Sequence, residues 1–367
     1  MRYICSECKA SHSVTTRASS CSCKGLFDLD YEPPLFRREA IDPSLWNIYR
    51  YRAFLPLMDD SWKRITLGEG MTPIIPLDET VLLKMDYYMP TLSFKDRGAS
   101  VLVSHCASIG VKEVVQDSSG NAGNSVAAYC ARAGIKCHIF VPEHTSPGKV
   151  DMIRSHNAEV HLIPGSREDC ANACRKKAKE ENIFYASHVN NPFFYEGCKT
   201  YIYEVYEQLH RIPEHLFIPL GNGTLFFGVI KGLDHLLKSG IIDHFPHLVA
   251  VQSEHCAPIY EAAISNNSTI SEISTSSTLT EGIAIARPMR GKEILELIRR
   301  YKIDVVTAPE DLILKSQSLL ARQGIYCELT TAATYAAYLS YREAKNDLTD
   351  VLIPMCGAGL KSRHESN

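Results

Sequence analysis

The sequence lacks several features that would narrow its function at once. It has no apolar run long enough to span a bilayer, and its first residues lack the apolar core of a secretory signal. The formal net charge is only −3 over 367 residues, which favours neither nucleic acid nor an anionic membrane as a partner. Internal repeats and low-complexity regions are also missing. These absences predict a soluble cytoplasmic protein of ordinary globular composition.

The 13 cysteines are an odd number, and most stand singly in apolar stretches, where reduced buried thiols are expected. The first four are grouped as Cys5-x2-Cys8 and Cys21-x-Cys23. Four thiolates can hold one Zn²⁺ in a closed structural site, although the second pair is more tightly spaced than in most zinc ribbons. The sequence leaves structural zinc and metal-free thiols both open. We expect residues 1–34 to form a separate Cys-rich, zinc-ribbon-like segment.

From about residue 66 onward, short apolar stretches alternate with helical ones. The short stretches are rich in β-branched residues, as expected of strands buried on both faces. This alternation predicts an α/β fold with mainly parallel sheets. The predicted strands are residues 81–84, 113–116, 137–141, 159–163, 216–219, 248–252, 304–307 and 351–354. In such folds ligands bind at the carboxyl ends of strands, next to helix N-termini.

The first candidate motif is Pro-Thr-Leu-Ser-Phe-Lys-Asp-Arg-Gly at residues 90–98, just before a helix-like run. Lys95 in this motif follows Phe94, and a partly desolvated amine beside an aromatic ring can attack an aldehyde. An arbitrary lysine at a helix start is usually only solvated. Whether Lys95 is a reactive amine or only a solvated side chain therefore depends on the other motifs.

The second motif is Asp-Ser-Ser-Gly-Asn-Ala-Gly-Asn at residues 117–124, between a strand and an Ala-rich helix. Small residues at a helix N-terminus let backbone N–H groups approach an anion, which suits a substrate carboxylate. Taken alone, the motif is equally consistent with a capped helix start.

The third motif is Pro-Leu-Gly-Asn-Gly-Thr at residues 219–224, directly after a predicted strand. It can hold a phosphate, but it has neither the dinucleotide-binding spacing nor the Gly-Lys-Ser/Thr step of a Walker A loop. The fourth motif, residues 354–361, places Cys356 after the last predicted strand in a Gly-rich turn. A buried thiol in a turn is the commoner role of such a cysteine.

In this order the four motifs resemble the fold-type II enzymes that depend on pyridoxal 5′-phosphate (PLP), and in particular the threonine synthase-like family. Residues 67–73, 191–200, 281–284 and 321–325 fit the same family, so the resemblance covers about residues 65–361. It is specific because the order and spacing of several motifs would otherwise have to coincide by chance.

The resemblance implies a role for each matching residue. Lys95 is the Schiff-base lysine and moves protons, Asn121 contacts the 3′-oxygen of PLP, and Cys356 lies beside the pyridine nitrogen. The other implied residues bind the PLP phosphate (Gly221, Asn222, Gly223 and Thr224) or receive the substrate carboxylate (Ser118, Ser119 and Asn121).

The resemblance also implies the two-domain fold of the tryptophan synthase β-like enzymes. A larger PLP-binding α/β domain would comprise residues 35–105 and 201–367, and a smaller mobile α/β domain residues 106–200. A homodimer acting on a small amino-acid substrate is expected from the same likeness.

The implied activity is γ-elimination of phosphate from O-phosphohomoserine, followed by hydration to threonine. One position departs from the family. Threonine synthases carry an Arg after the Asn-Pro of residues 191–192, and this chain has Phe194 there, which cannot donate paired hydrogen bonds to a phosphate. Candidates to replace the Arg are His188, Arg154, Arg167 and Lys149.

Two alternatives follow from this departure. One is β-elimination or β-replacement on serine, threonine, diaminopropionate or O-phosphoserine. The other is a non-catalytic binding protein that has kept the fold, which the intact Lys95, Asn121 and residues 221–224 disfavour.

Overall fold

A computed structural model describes residues 1–271, 273–345 and 348–361 of the chain. Residues 272, 346–347 and 362–367, which belong to the predicted larger domain, lie outside the described residues.

The helices are α1 (Trp62–Ile65), α2 (Lys95–Ser108), α3 (Asn121–Ala133), α4 (Pro147–Ser155), α5 (Arg167–Glu180), α6 (Pro192–Cys198), α7 (Thr200–Leu209), α8 (Thr224–Lys238), α9 (Pro258–Ile264), α10 (Gly291–Tyr301), α11 (Glu310–Ala321) and α12 (Leu329–Lys345). The strands are β1 (Arg2–Cys5), β2 (Ser11–His12), β3 (Phe27–Asp30), β4 (Ile74–Pro76), β5 (Val81–Lys84), β6 (Glu113–Gln116), β7 (Lys136–Pro142), β8 (Glu159–Ile163), β9 (Phe184–Tyr185), β10 (His215–Pro219), β11 (His247–Ser253), β12 (Asp304–Ala308) and β13 (Val351–Pro354).

Every strand predicted from apolar runs is present, and the α/β class with mainly parallel sheets is confirmed. Local signals fix several boundaries. The helix α3 ends at Gly134, whose φ of 68° is easily adopted by a glycine. The helix α5 begins with a capping box between Ser166 and Asp169. In the part of the chain that is described, none of the helices is long and apolar enough to cross a membrane.

The chain divides into two compact units, and the first comprises Met1–Met71 and Met89–Thr200. It contains an antiparallel sheet of order β2-β1-β3 and a parallel sheet of order β8-β7-β6-β9. The helices α3 and α5 pack on the parallel sheet, and α2 packs against both α3 and α6.

The second unit comprises Thr72–Tyr88 and Tyr201–Asn367, and its sheet has the order β12-β11-β10-β13-β5-β4. The strands run parallel, except that β4 is antiparallel to β5. Phe217 and Val249 of this sheet share a buried apolar cluster with Tyr338 of α12. The Lys84 amine of β5 lies 2.8 Å from a carboxylate oxygen of Glu204 in α7, and both side chains are fully buried.

The boundaries of these two units differ from those of the predicted domains. Residues 35–71 and 89–105 belong to the first unit, because α2 is packed between α3 and α6 of that unit. The predicted larger domain had included both segments. The domain boundaries given by the sequence stay a prediction.

Candidate active site

Lys95 is the first residue of α2, and a compact loop precedes it. Leu92 in this loop adopts a left-handed conformation, with a φ of 61°. The Asp96 carboxylate accepts hydrogen bonds from the backbone N–H of Thr91 at 2.7 Å and from its hydroxyl at 2.5 Å. These bonds fold the loop back onto the helix start. The Lys95 side chain is half-buried, and its amine lies 4.6 Å from the centre of the Phe94 ring.

The Ser125 hydroxyl donates a hydrogen bond to Asp96 and so joins α3 to the start of α2. Ser125 lies about one turn beyond Asn121, the first residue of α3. The predicted carboxylate-binding stretch is therefore held in the same unit as Lys95 by a direct contact between their two helices.

The backbone of this stretch is tightly packed. A β-carbon on Gly123 would lie 1.8 Å from the carbonyl oxygen of Ser118, so only glycine fits there. Ser118, Ser119 and Asn121 are half-buried, and the residue before the helix, Gly120, has no side chain with which to cap it. The N–H groups of the first turn can therefore serve an anion.

In the second unit, residues 219–224 link β10 to α8. Gly223 has a φ of 83°, and a β-carbon on Gly221 would lie 3.0 Å from both the Gly282 carbonyl oxygen and the Ile283 α-carbon. Thr224 is buried as the first residue of α8. The backbone thus forms a narrow turn at a helix N-terminus, from which larger side chains are excluded.

Cys356 follows β13 in the second unit and is buried. The backbone N–H groups of Cys356 and Gly357 point to the hydroxyl oxygen of Thr331, at 3.1 and 3.4 Å. A β-carbon on Gly357 would lie 2.2 Å from the Glu328 carboxyl group. The sequence did not indicate this contact, because Thr331 and Cys356 are 25 residues apart.

Phe194, which stands at the expected Arg position, is fully buried in α6. Its ring centre lies 5.8 Å from the Lys95 amine and 5.9 Å from the His188 ring. Burial lowers the pKa of His188 well below its usual range, and the nearby Lys95 charge lowers it further. Gln116 Nε2 lies 3.3 Å from His188 Nδ1, so this nitrogen accepts and the neutral ring carries its proton on Nε2.

His188, one of the four candidates to replace the Arg, thus lies beside Phe194. Arg154 instead faces Asp151 on α4, at 3.8 Å. A neutral imidazole supplies one hydrogen-bond donor but no fixed positive charge.

Residues 65–357 match a protein family described as pyridoxal-phosphate dependent enzyme. The chain belongs to this family. Curated relatives of this PLP enzyme include the threonine synthase of Methanocaldococcus jannaschii, which is 30% identical over 90% of this chain and 85% of the relative. The threonine synthase of Mycobacterium leprae is 32% identical, over 80% of this chain and 81% of the relative.

Solved structures give the fold of the PLP enzyme. Maize serine racemase superposes with a TM-score of 0.70 at 19% identity, over 82% of this chain and 91% of the racemase. The processed form of threonine deaminase isoform 2 from Solanum lycopersicum superposes with a TM-score of 0.66 at 20% identity, over 89% of this chain and 86% of the deaminase. The predicted fold-type II architecture is confirmed.

The surroundings of the candidate residues fit the cofactor. Within the described residues, the Ser93 hydroxyl and the Asn124 side-chain oxygen are buried without a hydrogen-bond partner. An unpaired buried polar group costs about 1–3 kcal/mol, and a bound ligand can supply the missing partner. The turn at Gly221 and Gly223 suits a phosphate, which backbone N–H groups bind at a helix N-terminus.

Proposed function

We propose that this PLP enzyme is a threonine synthase-like lyase, which eliminates phosphate from O-phosphohomoserine and hydrates the product to threonine. The observation that carries the proposal is the 30% identity to a threonine synthase over 90% of the chain. The position of Lys95 at the start of α2, beside two aromatic rings, supports it.

Each group of candidate residues has a different role in the proposed reaction. PLP, when bound, supplies an electron sink for negative charge at the substrate α-carbon. The Lys95 amine attaches to the cofactor and moves the α-proton, while the first turn of α3, with Ser118, Ser119 and Asn121, binds the substrate carboxylate. The backbone of Gly221, Asn222, Gly223 and Thr224 binds the cofactor phosphate.

Cys356 is proposed to lie beside the ring nitrogen. A thiol is only a weak hydrogen-bonding group, so it does not hold this nitrogen protonated as a carboxylate would. The electron sink is then weaker than in transaminases, which favours elimination and replacement at the β- or γ-carbon.

Phe194 favours a second candidate activity, namely β-elimination or β-replacement on serine, threonine, diaminopropionate or O-phosphoserine. The buried ring and the neutral His188 beside it offer no positive charge where threonine synthases have an Arg. Of these substrates, serine, threonine and diaminopropionate carry no phosphate and would need no positive charge at this position. A non-catalytic role is disfavoured because the candidate lysine and the glycine turn are both intact.

Assays of the purified holoenzyme separate these functions. With O-phosphohomoserine, the proposed activity releases phosphate and threonine in equal amounts. No threonine from this substrate, together with a 2-oxo acid and ammonia from one of the alternatives, would replace the first candidate by the second. Lys95→Ala must abolish whichever activity is found, whereas the exposed Lys112→Ala must not. Unchanged turnover in Lys95→Ala would contradict both.

We also propose that Cys5, Cys8, Cys21 and Cys23 bind one structural zinc ion. Their sulfur atoms all lie within 4.8 Å of one another, with 3.4 Å between Cys5 and Cys23 and 3.6 Å between Cys8 and Cys21. In a tetrahedral site with zinc–sulfur bonds of 2.3 Å, two sulfur atoms are about 3.8 Å apart. The cluster is therefore close to the spacing that zinc requires.

Metal analysis of freshly purified protein tests the cysteine site. Wild type should carry one zinc ion that Cys8→Ser and Cys23→Ser each lose, since both side chains are exposed and their removal leaves the core intact. Ser22→Ala, at the neighbouring exposed position, should keep the zinc. Equal zinc contents in all four proteins would contradict the proposal.

The homodimer and the mobility of residues 106–200 are proposed on the family resemblance alone, and the cytoplasmic location on the sequence features given above. Light scattering of the purified protein tests the first of these. A mass near twice the 41.0 kDa of one chain is expected.

A further inference from the structure

Three strands of the first unit bring a group of polar side chains together on one face of their sheet. His138 of β7 is paired with Glu159 of β8, and Phe140 is paired with His161. Since side chains alternate along a strand, positions 138 and 140 point to the same face, and so do positions 159 and 161. Glu113 begins the third strand, β6. None of these residues was singled out from the sequence.

The side chains of His138, Glu159 and His161 bring two imidazole nitrogens and both oxygens of one carboxylate close together. His138 Nδ1 lies 3.0 Å from His161 Nε2 and 3.4 Å from Glu159 Oε2. Glu159 Oε1 lies 3.5 Å from His161 Nε2. Around a tetrahedral ion with ligand bonds of 2.0–2.1 Å, neighbouring ligand atoms are about 3.3 Å apart. The distance between the two imidazole nitrogens, and the distance from each nitrogen to one of the two Glu159 oxygens, are each close to this value.

Glu113 orients the most buried of these ligands. Its carboxylate accepts a hydrogen bond from His138 Nε2 at 2.6 Å. The proton must then be on Nε2, which leaves the lone pair of Nδ1 directed toward His161 and Glu159. A carboxylate bound to the far nitrogen is the usual outer partner of a metal-binding histidine, since it fixes the tautomer and makes the ligand more basic.

The local charge also suits a dication. Glu113 and Glu159 carry two negative charges, and the Lys136 amine, 2.9 Å from Glu113 and 3.6 Å from Glu159, carries one positive charge. With neutral imidazoles, this group has a net charge of −1. Lys136 competes for Glu159 but not for either imidazole.

We propose that His138, Glu159 and His161 bind one divalent transition-metal ion of the zinc type. Two imidazoles and a carboxylate suit zinc better than magnesium or calcium, which prefer oxygen ligands alone. The ion would join β7 to β8 and keep a fourth position open to solvent. The Ile139 side chain, which points to the opposite face of the sheet from those of His138 and Phe140, would lie 3.5 Å from a β-carbon on Gly123 in the candidate carboxylate-binding stretch. The proposed metal site is therefore on the other face of the sheet from that stretch.

Equilibrium dialysis of the holoenzyme against Zn²⁺, with the bound metal measured by mass spectrometry, tests the proposal. Wild type should bind one zinc ion in addition to any held by the cysteine cluster. His161→Ala removes a ligand whose side chain is 25% exposed, and Glu159→Gln alters one that is 53% exposed, so both variants should fold. Each should bind the additional ion at least about tenfold more weakly. Lys136→Gln should bind it more tightly, because the competing amine is gone.

His244→Ala is the matched control. This exposed imidazole also contacts a carboxylate, that of Asp243, but belongs to neither of the two clusters that could hold a metal among the residues the structure describes. It should leave zinc binding unchanged. The proposal is overturned if wild type takes up no ion beyond the cysteine site, or if folded His161→Ala and Glu159→Gln bind zinc as His244→Ala does. The His138–His161 contact is in that case an ordinary hydrogen bond.

Discussion

The ring of Phe194 lies directly against the backbone of Gly98. A β-carbon on residue 98 would be 2.2 Å from the ring, and one on Gly197 would be 2.0 Å from the Arg97 carbonyl oxygen. Each of the two helices thus has a glycine where they meet, Gly98 in α2 and Gly197 in α6. This contact sets the position of Phe194 relative to the helix that begins at Lys95.

Gly98→Ala should therefore lower the free energy of unfolding by about 1–3 kcal/mol, because the added methyl group overpacks the contact. Phe194→Leu should be less destabilising, and the double variant should lose less than the sum of the two, since the smaller side chain makes room. Urea unfolding measures all three. Gly148→Ala, whose added methyl group meets nothing within 4 Å and lies in a helix, should not destabilise the protein. Strict additivity would show that the two residues do not compete for space.

Lys95→Ala should abolish covalent attachment of the cofactor while leaving the fold intact, because the side chain is only half-buried. After borohydride reduction, peptide mapping of wild type should find the pyridoxyl group on Lys95. Lys112→Ala should give the same map as wild type. A pyridoxyl group on another side chain would exclude Lys95 as the attachment site.

The buried pair of Lys84 and Glu204 should be costly to break. Both side chains are fully buried, so Glu204→Gln removes the carboxylate that faces the buried Lys84 ammonium and should destabilise the protein by about 3–5 kcal/mol. The exposed pair of Arg2 and Asp30, at 60% and 52% exposure, provides the control, and Asp30→Asn should cost less than about 1 kcal/mol. Urea unfolding midpoints followed by circular dichroism compare the two. Similar decreases in unfolding free energy for Glu204→Gln and Asp30→Asn would mean that burial does not make the Lys84–Glu204 pair stronger than the exposed one.

His105 should make the stability of the first unit fall in mild acid. It is buried with its ring stacked on Phe193, at 3.7 Å between ring centres, and burial lowers its pKa to about 4 from 6.5. Below pH 6.5 the unfolded chain binds a proton that the folded chain does not. The free energy of unfolding therefore does not depend on His105 titration above pH 6.5. It decreases as the pH falls from 6.5 toward about 4, by about 3 kcal/mol in total.

His105→Gln removes this titration and keeps a polar partner for the Tyr3 hydroxyl, which lies 3.4 Å from the His105 ring. Its free energy of unfolding should fall less steeply than that of wild type between pH 7 and pH 5. His244→Gln changes an exposed imidazole and should retain the wild-type slope. Equal slopes in His105→Gln and wild type would show that His105 titrates normally in the folded protein.

Much of the fold was predictable because its signals are local. Buried parallel strands are short apolar runs, and the runs at residues 113–116, 159–163 and 351–354 coincide with β6, β8 and β13. The two-residue strand β9 was missed, because so short a segment has no periodicity to detect. The family assignment also came from local motifs, whose order along the chain was sufficient.

The candidate site was predictable in part. Lys95, the stretch that begins α3 and the turn that begins α8 were each indicated by residue type and position next to a strand or helix. Thr331, which holds the backbone of Cys356, and Ser125, which holds Asp96, were not. Both are ordinary hydroxyl residues within helices, and only the packing of those helices gives them partners.

The sequence by itself determined the class of fold, the family and the residues to which the cofactor chemistry is assigned. The tertiary structure decided which distant residues meet: Lys84 with Glu204, Gly98 with Phe194, and His138 with His161. The physical reason is that the preference for a helix or strand depends on neighbours along the chain. A contact between elements depends instead on the register of strands and the packing of helices, which many residues fix together.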